Sequence, residues 1–138
     1  MKTAVIIPAR WKSTRFPGKP LHLIAGKPLV QHVWERCCKA KSVSMVVIAT
    51  DDMKIAEACF DFGAEVTITS PKHETGTDRI AEVAKRLKGV QNIINVQGDE
   101  PLIEPKLIER LAKALATDRR LQMVTAACPF QNPKDVLN

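Results

Sequence analysis

The stretch AVIIPARWKSTRFPGKP, residues 4–20, decides how the rest of the chain is interpreted. It starts with a short run of Val and Ile, which is typical of a strand buried on both faces, and the run ends at Pro8. A loop with four cations follows: Arg10, Lys12, Arg15 and Lys19. Because ligands of open α/β sheets bind beyond the carboxyl ends of the strands, we expect an anion to bind at this loop.

The remainder of the chain alternates apolar strand patterns with helical patterns. Alternation of this kind favours right-handed βαβ units and a mainly parallel sheet. We therefore predict one doubly wound α/β domain over residues 1–138, and we expect it to be incomplete at its C-terminus because no closing helix or cap follows the last strand. The predicted strands after the first are 44–50, 65–69, 91–96 and 122–128, and the predicted helices are 28–41, 52–63, 77–89 and 105–117.

The charge distribution identifies the kind of partner. The 138 residues carry a formal net charge of +6, and residues 1–34 hold six basic residues and no acidic one. The cations crowd one loop instead of running along a helix or a whole face, so they favour a compact polyanion such as a triphosphate over nucleic acid. Nucleic-acid binding remains an alternative that rests only on the basic composition.

The sequence pattern shows neither a membrane-spanning segment nor a secretory signal. No apolar run reaches the ~18 residues of a membrane span, and the first residues lead straight into a strand pattern without a secretory apolar region. The four cysteines contain no C-x-x-C pair of the kind that binds zinc or exchanges disulfides. We therefore predict a cytoplasmic protein with reduced core thiols and no membrane partner.

The cationic loop has the donors that phosphates prefer. Arg10 and Arg15 offer bidentate guanidinium groups, Lys19 offers a mobile ammonium, and Ser13 adds a hydroxyl. Gly18 would let the backbone approach a ligand closely. The alternative is a solvated basic loop, which we disfavour because like charges held together destabilise the fold unless an anion offsets them. Neither the P-loop motif nor G-x-G-x-x-G occurs, which disfavours P-loop enzymes and dinucleotide dehydrogenases.

A second polar segment, NVQGDEP at residues 95–101, follows a predicted buried strand. Asp99 lies next to a glycine just past the strand, where a carboxylate could share Mg²⁺ with phosphate oxygens. Glu100 could share that role or cap the turn. The alternative is a structural turn before Pro101, and both interpretations of Asp99 stay open.

A third segment, HETGTDR at residues 73–79, lies at a junction between a loop and a helix. Thr77 as helix cap and Asp78 in the first turn give it a structural explanation. Thr75 and Gly76 would leave backbone donors open for a base or a ribose, and Arg79 adds one more cation.

Together the segments IIPARWKSTRFPGKPL, HETGTDR and NVQGDEP resemble the 3-deoxy-manno-octulosonate cytidylyltransferases, or CMP-Kdo synthetases. The likeness extends over the whole chain and includes GKPLVQHVWER and VVIATDD. It implies a Rossmann-like nucleotidyltransferase fold. It also implies an enzyme that uses Mg²⁺ to couple CTP to 3-deoxy-manno-octulosonate (Kdo) for lipopolysaccharide biosynthesis, with release of pyrophosphate.

The resemblance also assigns roles to residues. The family usually has Ser where this chain has Thr75, which keeps the hydroxyl and adds a methyl group. The implied triphosphate-binding residues are Arg10, Ser13, Arg15 and Lys19; the implied cytidine-binding residues are Thr75, Gly76, Thr77, Arg79 and Gln97; the implied magnesium ligand is Asp99; and the implied catalytic residues are Arg10, Lys19 and Asp99.

Family members are about twice as long as a small single domain of ~100 to 150 residues. By resemblance, the later half that this chain lacks would hold much of the sugar pocket, a second metal-binding aspartate and the contact of a homodimer. Two alternatives stay open: a cytidylyltransferase for an acylneuraminate or amino-Kdo, and a nucleotide-binding fragment without catalysis.

Overall fold

The structure, a computed structural model, describes residues 2–12, 16–72, 76–117 and 123–125. The side chains of residues 76, 77 and 123–125 are not described. In chain order, the described elements are β1 (Thr3–Pro8), a 3-10 helix (Lys19–Leu21), β2 (Leu23–Ile24), β3 (Lys27–Pro28), α1 (Leu29–Cys38), β4 (Met45–Thr50), α2 (Met53–Asp61), β5 (Glu65–Ile68), α3 (Gly76–Arg86), β6 (Asn92–Asn95), α4 (Pro105–Thr117) and β7 (Met123–Thr125).

Five strands form one parallel sheet in the order β5-β4-β1-β6-β7. The chain starts in the centre, builds outward through β4 and β5, and then crosses to the other side for β6 and β7. The prediction of a doubly wound, parallel α/β sheet is therefore confirmed. The reversal of direction brings the carboxyl ends of β1 and β6 side by side, which is where ligands bind in folds of this kind.

Strand β1 is the centre of the core because both of its faces are covered. Val5 and Ile7 belong to the larger apolar cluster, to which α1, α2 and α4 contribute. Ala4 and Ile6 belong to the smaller cluster on the other face, which contains residues of α3. All six residues of β1 are buried. A strand buried on both faces has no polar alternation, and this explains the uninterrupted run of Val and Ile.

The ends of several elements differ from the prediction. Helix α1 is shorter than the predicted 28–41, and the 3-10 helix and the β2-β3 hairpin were not predicted. Helix α3 begins at Gly76, so the prediction that Thr77 caps it is wrong, since Thr77 lies in the first turn. Helix α4 is confirmed at the predicted bounds. Residues 122 and 126–128 of the last predicted strand lie outside the described residues.

The cysteines agree in part with the prediction. Cys37 and Cys59 are buried free thiols, and burial raises the pKa of each to about 12. Cys38 is also free but exposed, so it is not a core thiol as predicted. Its neighbour Cys37 points into the core because it lies on the apolar stripe of α1. Cys128 lies outside the described residues.

In the ranges that the structure describes, no helix has the length and apolar character that crossing a membrane requires.

Candidate active site at the carboxyl edge of the sheet

The turn after β6 lies directly against the end of β1. A Cβ atom at Gly98 would stand 2.9 Å from the backbone oxygen of Pro8, a separation that real side chains essentially never show. Glycine is therefore required here for close approach. The turn is closed by the Glu100 N–H, which donates to the Gln97 carbonyl oxygen at 3.3 Å. This packing fixes the position of Asp99 relative to the cationic loop.

The cationic loop is closed at its far end by Gly18. The Gly18 N–H donates to the Trp11 carbonyl oxygen at 2.8 Å, and Gly18 has a positive φ of 72°. A Cβ at this position would lie 2.8 Å from the Trp11 ring. The Trp11 ring on the Cβ side and the left-handed backbone explain why glycine is needed here, and the approach of a ligand to Gly18 stays a prediction. The turn delivers Lys19, the first residue of the 3-10 helix.

Lys19 and Asp99 meet across the cleft between the two loops. The Lys19 Nζ lies 3.4 Å from the Asp99 Oδ2, although 80 residues separate them in sequence. Both side chains remain about half exposed, at 46% and 53%. The two residues that the sequence predicted on separate motifs thus belong to one site. The structural alternative for Asp99 is also met, because Asp99 lies within the turn that precedes Pro101.

A cavity of about 200 Å³ lies between the two loops. Arg10, Lys12 and Lys19 line it as three cations, and Asp99 is the carboxylate among its lining residues. The balance of charge therefore favours an anion, and backbone groups at the end of a parallel strand suit a phosphate. Lys12 was predicted as one of the four cations of this loop but not as an individual binding residue, and it lines the cavity. The other lining residues are Pro8, Ala9, Pro20, Leu29, Gln97 and Gly98.

A second, smaller cavity of about 100 Å³ shares Pro8, Ala9, Arg10 and Gln97 with the first and adds Arg79. Arg10 and Gln97 therefore stand between the two cavities. Such an arrangement can hold two parts of one ligand, with the more cationic cavity suited to its anionic part.

The Gln97 side chain is held by a buried neighbour. Its Nε2 donates to the Oδ1 of Asn95 at 3.3 Å, and Asn95 is buried at the last position of β6. This bond orients the amide, whose Oε1 can accept a hydrogen bond from a ligand and whose second Nε2 hydrogen can still be donated.

Arg79 is the most buried cation of the site, with 2% of its surface exposed. Its Nη1 donates to the Thr69 Oγ1 at 2.5 Å and lies 3.6 Å from the Asp51 Oδ1. Sequence reasoning missed Thr69 and Asp51. One signal for Asp51 was present: of the adjacent pair Asp51 and Asp52, only one can cap the helix that follows.

The structure describes seven of the ten predicted site residues, and four of them line the larger cavity: Arg10, Lys19, Gln97 and Asp99. Arg79 joins them at the smaller cavity. Gly76 lies at the start of α3, with Thr77 next to it. The predicted residues Ser13, Arg15 and Thr75 lie outside the described residues.

Of the two carboxylates that the sequence offered to a metal, Asp99 lines the larger cavity, and Glu100 is not among its lining residues. Within the described ranges, no group of three or more His, Cys, Asp or Glu residues lies close enough together to hold a metal ion. A magnesium ion at this site would need the remainder of its ligands from a bound phosphate and from water, which is how Mg²⁺ commonly binds beside a nucleotide.

Comparison with known proteins finds relatives that match the whole length of this chain. The sequence profile of the family described as Cytidylyltransferase matches residues 4–138. A 3-deoxy-manno-octulosonate cytidylyltransferase of Geobacter sulfurreducens is 54% identical over 138 residues, which are 100% of this chain and 55% of that protein. The homologue of Pseudomonas fluorescens strain Pf-5 with the same name is 51% identical over 136 residues, 97% of this chain and 53% of that protein.

Two solved cytidylyltransferase-type structures superpose on most of this chain. A CMP:2-keto-3-deoxy-manno-octonic acid synthetase complexed with CTP superposes with a TM-score of 0.84 at 43% identity, covering 86% of this chain and 49% of that one. A cytidylyltransferase from Leptospira borgpetersenii superposes with a TM-score of 0.75 at 26% identity, covering 86% of this chain and 50% of that one. The chain thus spans about half the length of the relatives that it matches.

Proposed function

Because this chain belongs to the cytidylyltransferase family, we propose that it provides the CTP-binding part of an enzyme that couples CTP to Kdo and gives CMP-Kdo and pyrophosphate. The observation that carries the proposal is the cavity lined by Arg10, Lys12 and Lys19 with Asp99 on its rim. It lies at the switch point of the sheet, and the three cations suit a triphosphate.

The larger cavity would bind the triphosphate. Arg10 would hold phosphate oxygens with its guanidinium, and Lys19 would leave Asp99 and turn to the phosphate, since its side chain is half exposed and free to move. Ser13 and Arg15, predicted on the same loop, would complete this set.

The smaller cavity would bind the nucleoside. Gln97 and Arg79 line it, and the Gln97 Oε1 can accept a hydrogen bond from an amino group such as that of cytosine. Gly76 and Thr77, in the first turn of α3, and Thr75 before it are the further residues proposed to contact the cytidine.

The reaction needs positioning and charge stabilisation more than covalent help from the protein. The anomeric hydroxyl of Kdo attacks the α-phosphorus of CTP and loses its proton to solvent, a new P–O bond forms, and the bond to the leaving pyrophosphate breaks. Negative charge grows on the pyrophosphate as this bond breaks. Lys19 and Arg10 stabilise that charge in the transition state, which makes both of them catalytic residues in this proposal.

The donors of the site fit magnesium. Mg²⁺ binds through one or two carboxylates together with substrate phosphates and water, and Asp99 supplies a half-exposed carboxylate at the cavity proposed for the triphosphate. Asp99 would therefore hold the ion. When bound, the ion would neutralise phosphate charge and make the α-phosphorus more electrophilic.

The setting of the reaction is part of the proposal. CMP-Kdo is an activated sugar acid for lipopolysaccharide biosynthesis, and we place its synthesis in the cytoplasm, where free thiols such as Cys37, Cys38 and Cys59 stay reduced. The complete family form is proposed to be a homodimer, with no nucleic-acid or membrane partner.

The test is incubation of the full-length protein with CTP, Mg²⁺ and one sugar acid at a time, with pyrophosphate release and product mass as readouts. Release with Kdo is the expected result. Preference for an acylneuraminate or amino-Kdo would keep the chemistry and change the sugar. CTP binding without turnover of any of these sugars would leave a nucleotide-binding module and contradict the enzymatic proposal.

A further inference from the structure

Arg79 ties three segments of the chain together. It lies in the first turn of α3, while Thr69 directly follows β5 and Asp51 directly follows β4. The contacts of its Nη1 with the Thr69 Oγ1 and the Asp51 Oδ1 therefore join the start of a helix to the carboxyl ends of two neighbouring strands. We call Asp51, Thr69 and Arg79 the guanidinium brace.

The contribution of a buried ion pair to folding stability does not explain why Arg79 is a charged residue. Only 3% of the Arg79 side chain is exposed, and its partner Asp51 is mostly buried as well. Removing a charge pair from water is costly, and apolar residues of similar size in the same place are often as stabilising or more so. A buried guanidinium at the carboxyl edge of the sheet is better explained by a function at the cavity that it lines.

The geometry leaves Arg79 with donors for a ligand. A guanidinium has five N–H groups on three nitrogens, and both contacts of the brace use Nη1. Arg79 also lines the smaller cavity together with Arg10 and Gln97. Fixing one nitrogen of a planar group restricts the orientation of the others, so the brace sets the direction of the donors that remain.

We propose that Asp51 and Thr69 are positioning residues, which hold the Arg79 guanidinium against the nucleoside part of bound CTP. The inference rests on the proposed function, because it takes CTP as the ligand of the two cavities. It assigns a role to two residues that contact no substrate, and it predicts that they affect the nucleoside and not the triphosphate.

The chain provides a matched control next to Asp51. The Asp52 Oδ1 accepts the Ile55 N–H at 3.0 Å and caps α2. Asn is as good a helix N-cap as Asp, so Asp52→Asn removes the same charge from the same loop and keeps the cap. Asp51→Asn removes the carboxylate of the brace. The two variants differ in their contact with Arg79 and not in net charge.

The experiment is calorimetric titration of the full-length protein with CTP and, separately, with inorganic tripolyphosphate. For Asp51→Asn we expect CTP affinity to fall on the order of tenfold, the effect of misplacing one charge-assisted hydrogen bond, while tripolyphosphate affinity stays within about twofold. Asp52→Asn should bind both ligands like the wild type. In turnover, Asp51→Asn should raise KM for CTP and leave kcat within about threefold.

A second variant keeps the test decisive if Asp51→Asn does not fold. Thr69→Val keeps the shape of the side chain and removes the hydroxyl acceptor, and it should weaken CTP binding selectively as well. Unchanged CTP affinity in a folded brace variant, or equal loss of CTP and tripolyphosphate affinity, would overturn the inference and leave the proposed function intact. A wild-type protein that does not bind CTP would overturn both.

Discussion

Replacing Lys19 with Ala separates the functional role of this lysine from its role in folding. Its ion pair with Asp99 joins two half-exposed side chains 3.4 Å apart. Two unit charges at that distance in water attract by about 1 kcal/mol, and side-chain entropy and salt reduce the net contribution below that. Lys19→Ala should therefore lower the free energy of unfolding by less than about 1 kcal/mol.

The expected effect on catalysis is much larger. Lys19 is proposed to stabilise charge that appears on pyrophosphate only as the bond to the α-phosphorus breaks. Loss of one such donor costs on the order of 10² in kcat, or about 2.7 kcal/mol of transition-state stabilisation. Steady-state pyrophosphate release with saturating CTP and Kdo measures kcat, and urea unfolding measures stability on the same samples.

The matched control is Lys27→Ala. Lys27 is also a half-exposed lysine in an ion pair, with its Nζ 2.9 Å from the Glu35 Oε1, but it lies on β3 and lines neither cavity. It should retain kcat within about twofold. The reasoning would be refuted if Lys19→Ala kept near-normal turnover, or if Lys27→Ala lost as much.

Three further predictions concern the packing of the fold. Gly98→Ala should lower the free energy of unfolding by about 1–3 kcal/mol in urea titration, because its Cβ would stand 2.9 Å from the Pro8 oxygen and push the ends of β1 and β6 apart; unchanged stability would mean that the two ends do not touch. Ile94→Ala should cost about 2–5 kcal/mol in the same assay, since Ile94 is fully buried in β6, and a loss below 1 kcal/mol would argue against that burial. Burial raises the pKa of Cys37 to about 12 and also raises the pKa of Cys38, but Cys38 is exposed to a reagent and Cys37 is not; in thiol titration of the folded protein, Cys38→Ser should therefore remove a reacting group and Cys37→Ala should not, and the reverse order would contradict the placement of α1.

Much of the fold could be predicted because its signals are local. The uninterrupted run of Val and Ile in β1 indicated a strand that is covered on both faces. The apolar stripe of α4 predicted a helix with the bounds that the structure shows. The 3-10 helix from Lys19 and the β2-β3 hairpin escaped prediction. The 3-10 helix follows the left-handed turn at Gly18, whose contact with the Trp11 ring the sequence pattern does not contain. The hairpin pairs only two residues on each side of Ala25 and Gly26, which is too short to give an alternating strand pattern.

Part of the candidate site could also be predicted, because three of its residues carry a local signal in the sequence. Arg10, Lys19 and Asp99 each follow a buried strand, and parallel strands deliver such residues to one edge of the sheet. The contacts of Arg79 with Asp51 and Thr69 could not be found in this way, because they cross between three segments and depend on the packing of α3. Gly98 was seen next to Asp99, but its close approach to β1 is visible only in the structure.

The central claim is that the cavity between the two loops binds the triphosphate of CTP and that Asp99 binds the metal. A crystal structure of the full-length protein with CTP and Mn²⁺, with the anomalous signal used to locate the metal, tests it most directly. We predict phosphate oxygens within hydrogen-bond distance of Arg10 and Lys19 and a manganese peak at the Asp99 carboxylate. A triphosphate bound elsewhere, for example among Lys41 and Lys106 at the opposite end of the sheet, would contradict it.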